Sequence, residues 1–103
     1  MAKMKMIFLG KEVVLHQFEN KVAEQVERLC VALRAQYGKF VESYNDKSNL
    51  TFEIAENIRQ IFRSLRNLGA ITPDETRIIF RKLDNQMSEF FTGEIRESVG
   101  VAQ

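Results

Sequence analysis

The sequence is poor in the residues that make turns, with one proline and five glycines among its 103 residues. An all-β fold needs many tight turns, and Gly and Pro supply most of them. A chain composed this way favours long helices joined by few connections. Tryptophan is absent, and cysteine and histidine occur once each, as Cys30 and His16. A single cysteine closes no intrachain disulfide, which points to a reducing compartment and a cytoplasmic protein. One Cys and one His also fall short of a zinc site, which draws several such ligands at short spacing. No Glu-x-x-His pair occurs, the device by which helical bundles hold metals on carboxylates. No metal and no cofactor is therefore expected.

Charge of one sign is lacking too, with 15 basic residues against 14 acidic. Dedicated nucleic-acid domains are more basic, although clustering matters more than the sum. The opening MAKMKMIFLG is too short to span a membrane, and no small-residue cleavage site follows it. No signal peptide and no transmembrane segment is expected.

The chemistry of catalysis is equally sparse. His16 has Glu12, Glu19 and Asn20 within helical reach, but no activated nucleophile accompanies it. It reads as a partly exposed boundary histidine. Gly69 precedes a helix start, as in a phosphate-binding loop, but Asp74 and Glu75 load that start with negative charge and would repel an anion. The chain reads as non-catalytic. Cys30, at the edge of an apolar stripe, reads as a small buried hydrophobe.

Hydrophobic residues make up 45% of the chain, which is the composition of one globular domain. The organising pattern is a stripe at gaps of three and four: Leu15, Phe18, Val22, Val26, Leu29, Leu33, Tyr37, Phe40 and Tyr44. Its period of about 3.6 predicts one amphipathic helix over 12–45, roughly 50 Å long. Gly38 lies on the opposite face and marks a site for a bend or break. Residues 45–49 (NDKSN) form the clearest loop.

A second helix is predicted over 51–68, with Thr51 as its N-cap and Gly69 as its left-handed C-terminal cap. Its stripe is Ile54, Ile58, Ile61, Phe62, Leu65 and Leu68. Thr72-Pro73-Asp74-Glu75 is the strongest local signal: a capping threonine, proline at the first helical position and two acids at the positive end of the dipole. It opens a third helix over 73–92, with an extension toward Val99 through or past Gly93. That helix buries Ile79, Phe80, Leu83, Met87, Phe90 and Phe91. The short link makes helices 2 and 3 antiparallel neighbours, with Ala70 and Ile71 plugging the end of their hairpin. The tail from Gly100 is expected to fray. Residues 1–11 read as a loose apolar arm. The alternative is a strand turning through Gly10-Lys11, as a type II′ turn, into a second strand Glu12–Leu15.

The expected fold is thus all-α: one domain over 1–103, a long N-terminal helix plus an antiparallel helical hairpin. The hairpin is too short to cover the long stripe. A break at Gly38, the N-terminal arm or a second copy must cover the rest, and a homodimer is the reading taken. Its interface would be Leu15, Phe18, Val22, Val26 and Leu29. The function expected is a protein–protein interaction module, an adaptor or regulator working through an apolar helix face. The alternative is a small nucleic-acid-binding regulator. Arg59, Arg63 and Arg66 share one flank of helix 2, and Arg77, Arg81 and Lys82 begin helix 3. Gathered at the turn, such a cluster neutralises phosphates or receives an acidic protein, unless Glu53, Glu56 or Asp84 pair with it. Glu89, Glu94 and Glu97 make the opposite end acidic, a polarity that would set register in an antiparallel dimer.

Overall fold

The computed structural model describes residues 4–15, 20–92, 95 and 101–102. Strand β1 (Met4–Phe8) turns into β2 (Lys11–Leu15). Three helices follow: α1 (Asn20–Asn45), α2 (Leu50–Asn67) and α3 (Pro73–Ser88). A two-residue strand, β3 (Val101–Ala102), pairs antiparallel with β1, so the sheet order is β2-β1-β3. The protein is mainly helical, and all-α is corrected to helices plus a small sheet.

The hairpin takes the place of the expected arm and of residues 12–15 of the expected long helix. Its alternation has period two: Met6, Phe8, Val13 and Leu15 are buried, whereas Lys5, Ile7 and Glu12 are exposed. Met6 pairs with Val13, so these apolar residues share one face. The connection is Leu9-Gly10, with φ of 49° and 76°. Two positive φ values make it type I′, whose twist matches the strands it joins. The turn is therefore neither type II′ nor centred on Gly10-Lys11. An isolated hairpin is marginal in water. Four buried side chains, each contributing about 1.5–3 kcal/mol, hold this one to the helices. Among them Phe8 bridges two helices, its ring 5.1 Å from both Tyr37 of α1 and Phe62 of α2.

From Asn20 onward the long stripe behaves as its period requires. Val26, Cys30, Leu33, Tyr37, Phe40 and Tyr44 are buried. The helix runs unbroken through Gly38, where an added Cβ would meet nothing within 4 Å. Leu15 reaches the core from β2 rather than from a helix. Residues His16, Phe18 and Glu19 lie outside the described residues, as do Gly93, Glu94, Glu97 and Val99.

Helices α1 and α2 both end in a Schellman arrangement. After α1, Ser48 N–H donates to Ser43 C=O (2.9 Å) and Lys47 N–H to Tyr44 C=O (3.1 Å), with Lys47 left-handed at φ 59°. After α2, Ala70 N–H donates to Leu65 C=O (2.9 Å) and Gly69 N–H to Arg66 C=O (3.0 Å), with Gly69 at φ 80°. Thr51 is not the cap of α2. It lies inside the helix, fully buried, donating to Ser48 C=O at 2.7 Å, while Ser48 Oγ accepts from Leu50 N–H. Thr72 does cap α3, its Oγ1 accepting from Glu75 N–H at 3.1 Å. Helix α3 stops at Ser88 rather than Thr92, and Phe91, expected inside, is 76% exposed.

Candidate functional site

The apolar residues expected to pair two copies divide into groups. Leu15 and Val26 are buried within the monomer. Val22 and Leu29 are half-buried against the core, and Phe18 lies outside the described residues. Leu29 lines a groove of about 450 Å³ between α1 and α2, with Leu68, Gln25 and Arg28. The stripe of α1 packs on α2, and Phe8 of the β-hairpin adds its ring against Tyr37. The signal for the hairpin was the alternation of Val13 and Leu15, masked because Leu15, Phe18 and Val22 happen also to fit helical spacing.

The exposed apolar surface lies elsewhere. Phe52, on the first turn of α2, is 53% exposed, and Phe91, just past α3, is 76% exposed. Both rest on buried Phe90, with ring centroids 5.2 and 4.9 Å from it. Phe90 in turn meets Tyr44 edge-on at 5.3 Å. A continuous series of rings thus runs from Phe62 and Phe8 through Tyr37, Phe40 and Tyr44 to Phe90, and opens to solvent at Phe52 and Phe91. This end of the molecule is tied down by polar contacts. Tyr44 Oη donates to Gln86 C=O (2.5 Å), and Lys47 Nζ donates to Phe90 C=O (2.9 Å).

Along the outer surface from that aromatic end, α2 and α3 run antiparallel in a defined register. Arg59 faces Asp84 at 2.6 Å, and the Arg63 guanidinium lies 5.4 Å from the centre of the Phe80 ring. The seam is aromatic at one end, paired in charge at its middle and basic at the other end.

The six basic residues singled out from the sequence are therefore not equivalent. Arg59 bonds Glu56 as well as Asp84, and Arg63 bonds Glu56 at 3.3 Å. Arg77 pairs with Asp74 one turn before it. Arg66, Arg81 and Lys82 form no ion pair among the described residues. Half of the cluster is thus neutralised by its own chain. The hydrogen bonds from Arg63 and then Gln60 hold the Glu56 carboxyl below its ordinary pKa, against a small opposing effect of desolvation.

A second polar link fastens the sheet to α3. Lys11 Nζ lies 3.5 Å from Glu75 Oε2, an oxygen shielded from solvent that takes no hydrogen bond among the described residues. The Cys30 thiol is pushed up to about 11 by burial and by the neighbouring Glu27 charge. It stays protonated at neutral pH and is a poor nucleophile. Among the described residues, no group of three or more His, Cys, Asp or Glu side chains is gathered to hold a metal. No described helix is long and apolar enough to cross a membrane. Comparison with protein-family models, with curated proteins and with solved structures finds no match for this chain.

Proposed function

We propose that this protein is a non-catalytic interaction module, an adaptor or regulator that binds other protein through the exposed end of its aromatic series. The observation that supports it is the pair Phe52 and Phe91, both more than half exposed and seated on one buried ring. Aromatic residues held in place by a rigid floor lose little entropy on binding and are typical anchors of protein interfaces. This apolar surface lies on the first turn of α2 and just past α3, not on the stripe of Leu15, Val22, Val26 and Leu29. Self-association remains part of the proposal.

The test is photocrosslinking in the cells from which the protein comes. A photoreactive side chain at position 52 is expected to give a discrete adduct that Phe91→Ser removes. The same probe at Arg34, on the exposed side of α1, is expected to give none. Equal labelling from both positions would sink the reading.

A nucleic-acid regulator remains the second reading, supported by Arg66, Arg81 and Lys82, which form no ion pair among the described residues. It requires binding that falls steeply with salt and is lost in Arg66→Glu with Arg81→Glu. Binding that survives that double reversal rules it out.

A further inference from the structure

The end of the molecule that carries Phe52 and Phe91 combines exposed apolar side chains with unmatched negative charge. Leu50 and Phe52 flank buried Thr51 on the first turn of α2, and Leu50 is 61% exposed. Phe91 joins Phe52 at the Phe90 ring. Leu50 and Ile54 also line a groove of about 290 Å³ with Lys39 and Glu42 of α1 and Asp46 just past it. Acids accompany each apolar group. Glu42 and Asp46 share the groove with Leu50, Glu53 follows Phe52 in the chain, and Glu89 lies two residues before Phe91. All four are exposed, and none forms an ion pair among the described residues.

The backbone adds to this charge. Tyr44 of α1 bonds Gln86 of α3, which brings the C-terminal ends of both helices together. Neither helix carries a basic residue in its last turn, so their negative dipole ends are not offset from within. The positive end of α2 has Glu53 in its first turn. The cations here are Lys39 and Lys47, and the Lys47 ammonium donates to Phe90 C=O.

We propose that this end docks a basic amphipathic segment of another protein. Such a segment sets large apolar side chains on Leu50, Phe52 and Phe91, and lysine or arginine beside Glu42, Asp46, Glu53 and Glu89. The inference rests on the interaction reading above and names the chemistry of its partner. A long basic side chain suits the groove, because its stem lies on Leu50 and Ile54 while its charge reaches Glu42 and Asp46. Apolar burial supplies the affinity, and the charges select the partner and speed encounter. The same charges repel an anionic lipid surface, a nucleic acid or an acidic segment.

Two synthetic helical peptides test this on the full chain, one with leucine on one face and lysine on the other, its twin with glutamate in place of lysine. Fluorescence anisotropy is expected to show binding of the lysine peptide that weakens with salt, and none of the twin. Phe91→Ser is expected to weaken binding at least about tenfold. Glu53→Gln with Glu89→Gln is expected to weaken it about threefold and to flatten its salt dependence. Glu24→Gln with Glu27→Gln removes as much charge from exposed positions on α1 and is expected to leave binding unchanged. Circular dichroism checks that each variant folds. Failure of the lysine peptide to bind overturns the proposal, as do equal binding of both peptides, indifference to Phe91→Ser, or an equal effect of the two charge pairs. Binding of anionic vesicles that Phe91→Ser abolishes assigns the surface to lipid and overturns it too, as does an adduct between position 52 and a second copy of the chain. If position 52 crosslinks another protein through a segment that is not basic, only this inference fails. If position 52 gives no adduct at all, the interaction reading fails with it.

Discussion

The side chain of Asn45 takes both backbone groups of Ile95. Its Nδ2 donates to Ile95 C=O at 3.2 Å, and its Oδ1 accepts from Ile95 N–H at 3.0 Å. Ile95 is buried, so the amide supplies what a neighbouring strand would otherwise supply to that peptide. The last residue of α1 thereby holds the chain that follows α3, beside the Phe90 ring. Replacing Asn45 with Ala leaves a buried donor and acceptor unpaired. We expect a loss of about 1–3 kcal/mol and faster hydrogen exchange at the Ile95 amide. Unchanged exchange there would show that the clamp carries no weight.

Gly38 offers a test with the opposite sign. It is exposed in the middle of α1, and a methyl group there meets nothing within 4 Å. Gly in a helix interior costs about 0.5–1 kcal/mol relative to Ala. Gly38→Ala should raise the urea midpoint by the corresponding amount without changing the m-value. A fall in stability would mean that the helix needs freedom at this point.

Phe8 ties the hairpin to the helices, its ring between Tyr37 and Phe62. Phe8→Ala removes a fully buried ring and should cost about 3–5 kcal/mol. Amide exchange in β1 and β2 should rise more than in α2, because the helices keep their own contacts. Loss confined to the strands with α1 and α2 intact would mark the sheet as a separable unit.

The Arg63–Glu56 contact has a pH signature. The Glu56 carboxyl is held below its ordinary 4.5 mainly by the Arg63 hydrogen bond. A carboxylate with a lowered folded-state pKa favours the folded state above its unfolded pKa. That contribution is lost as pH falls through the lowered value. Carbon-detected titration should place the Glu56 midpoint below those of glutamates without an arginine partner, and Arg63→Met should move it back up. A midpoint unaffected by that change would reassign the cause.

Much of the helical layout could be read from residue order because it rests on local rules. Thr72-Pro73 begins a helix wherever it stands, Gly69 ends one, and the stripe from Val26 to Tyr44 has room on only one face. The hairpin was harder to read. Leu9 occupies a left-handed position that Asn or Asp usually fills, so the turn carried only half of its signal. Thr51 is placed like a cap, two residues before Glu53, but its side chain turns inward, where the hydroxyl donates to Ser48 C=O and lies 3.0 Å from that of Ser43, across the α1–α2 link. Phe91 was counted with Phe90 as core, and nothing in their order distinguishes them. Only the end of α3 at Ser88 turns one ring inward and leaves the other in solvent.

Residue order therefore settled three helices, the start of α3 at Thr72-Pro73 and the buried stripe of α1, since spacing and capping act within a few residues. Long-range packing settled what covers that stripe, which arginines are matched by acids and where aromatic surface remains. Those outcomes depend on which groups meet across the chain: Phe8 on Phe62, Arg59 on Asp84, Asn45 on Ile95. The energy of each such contact exists only once both partners are in place.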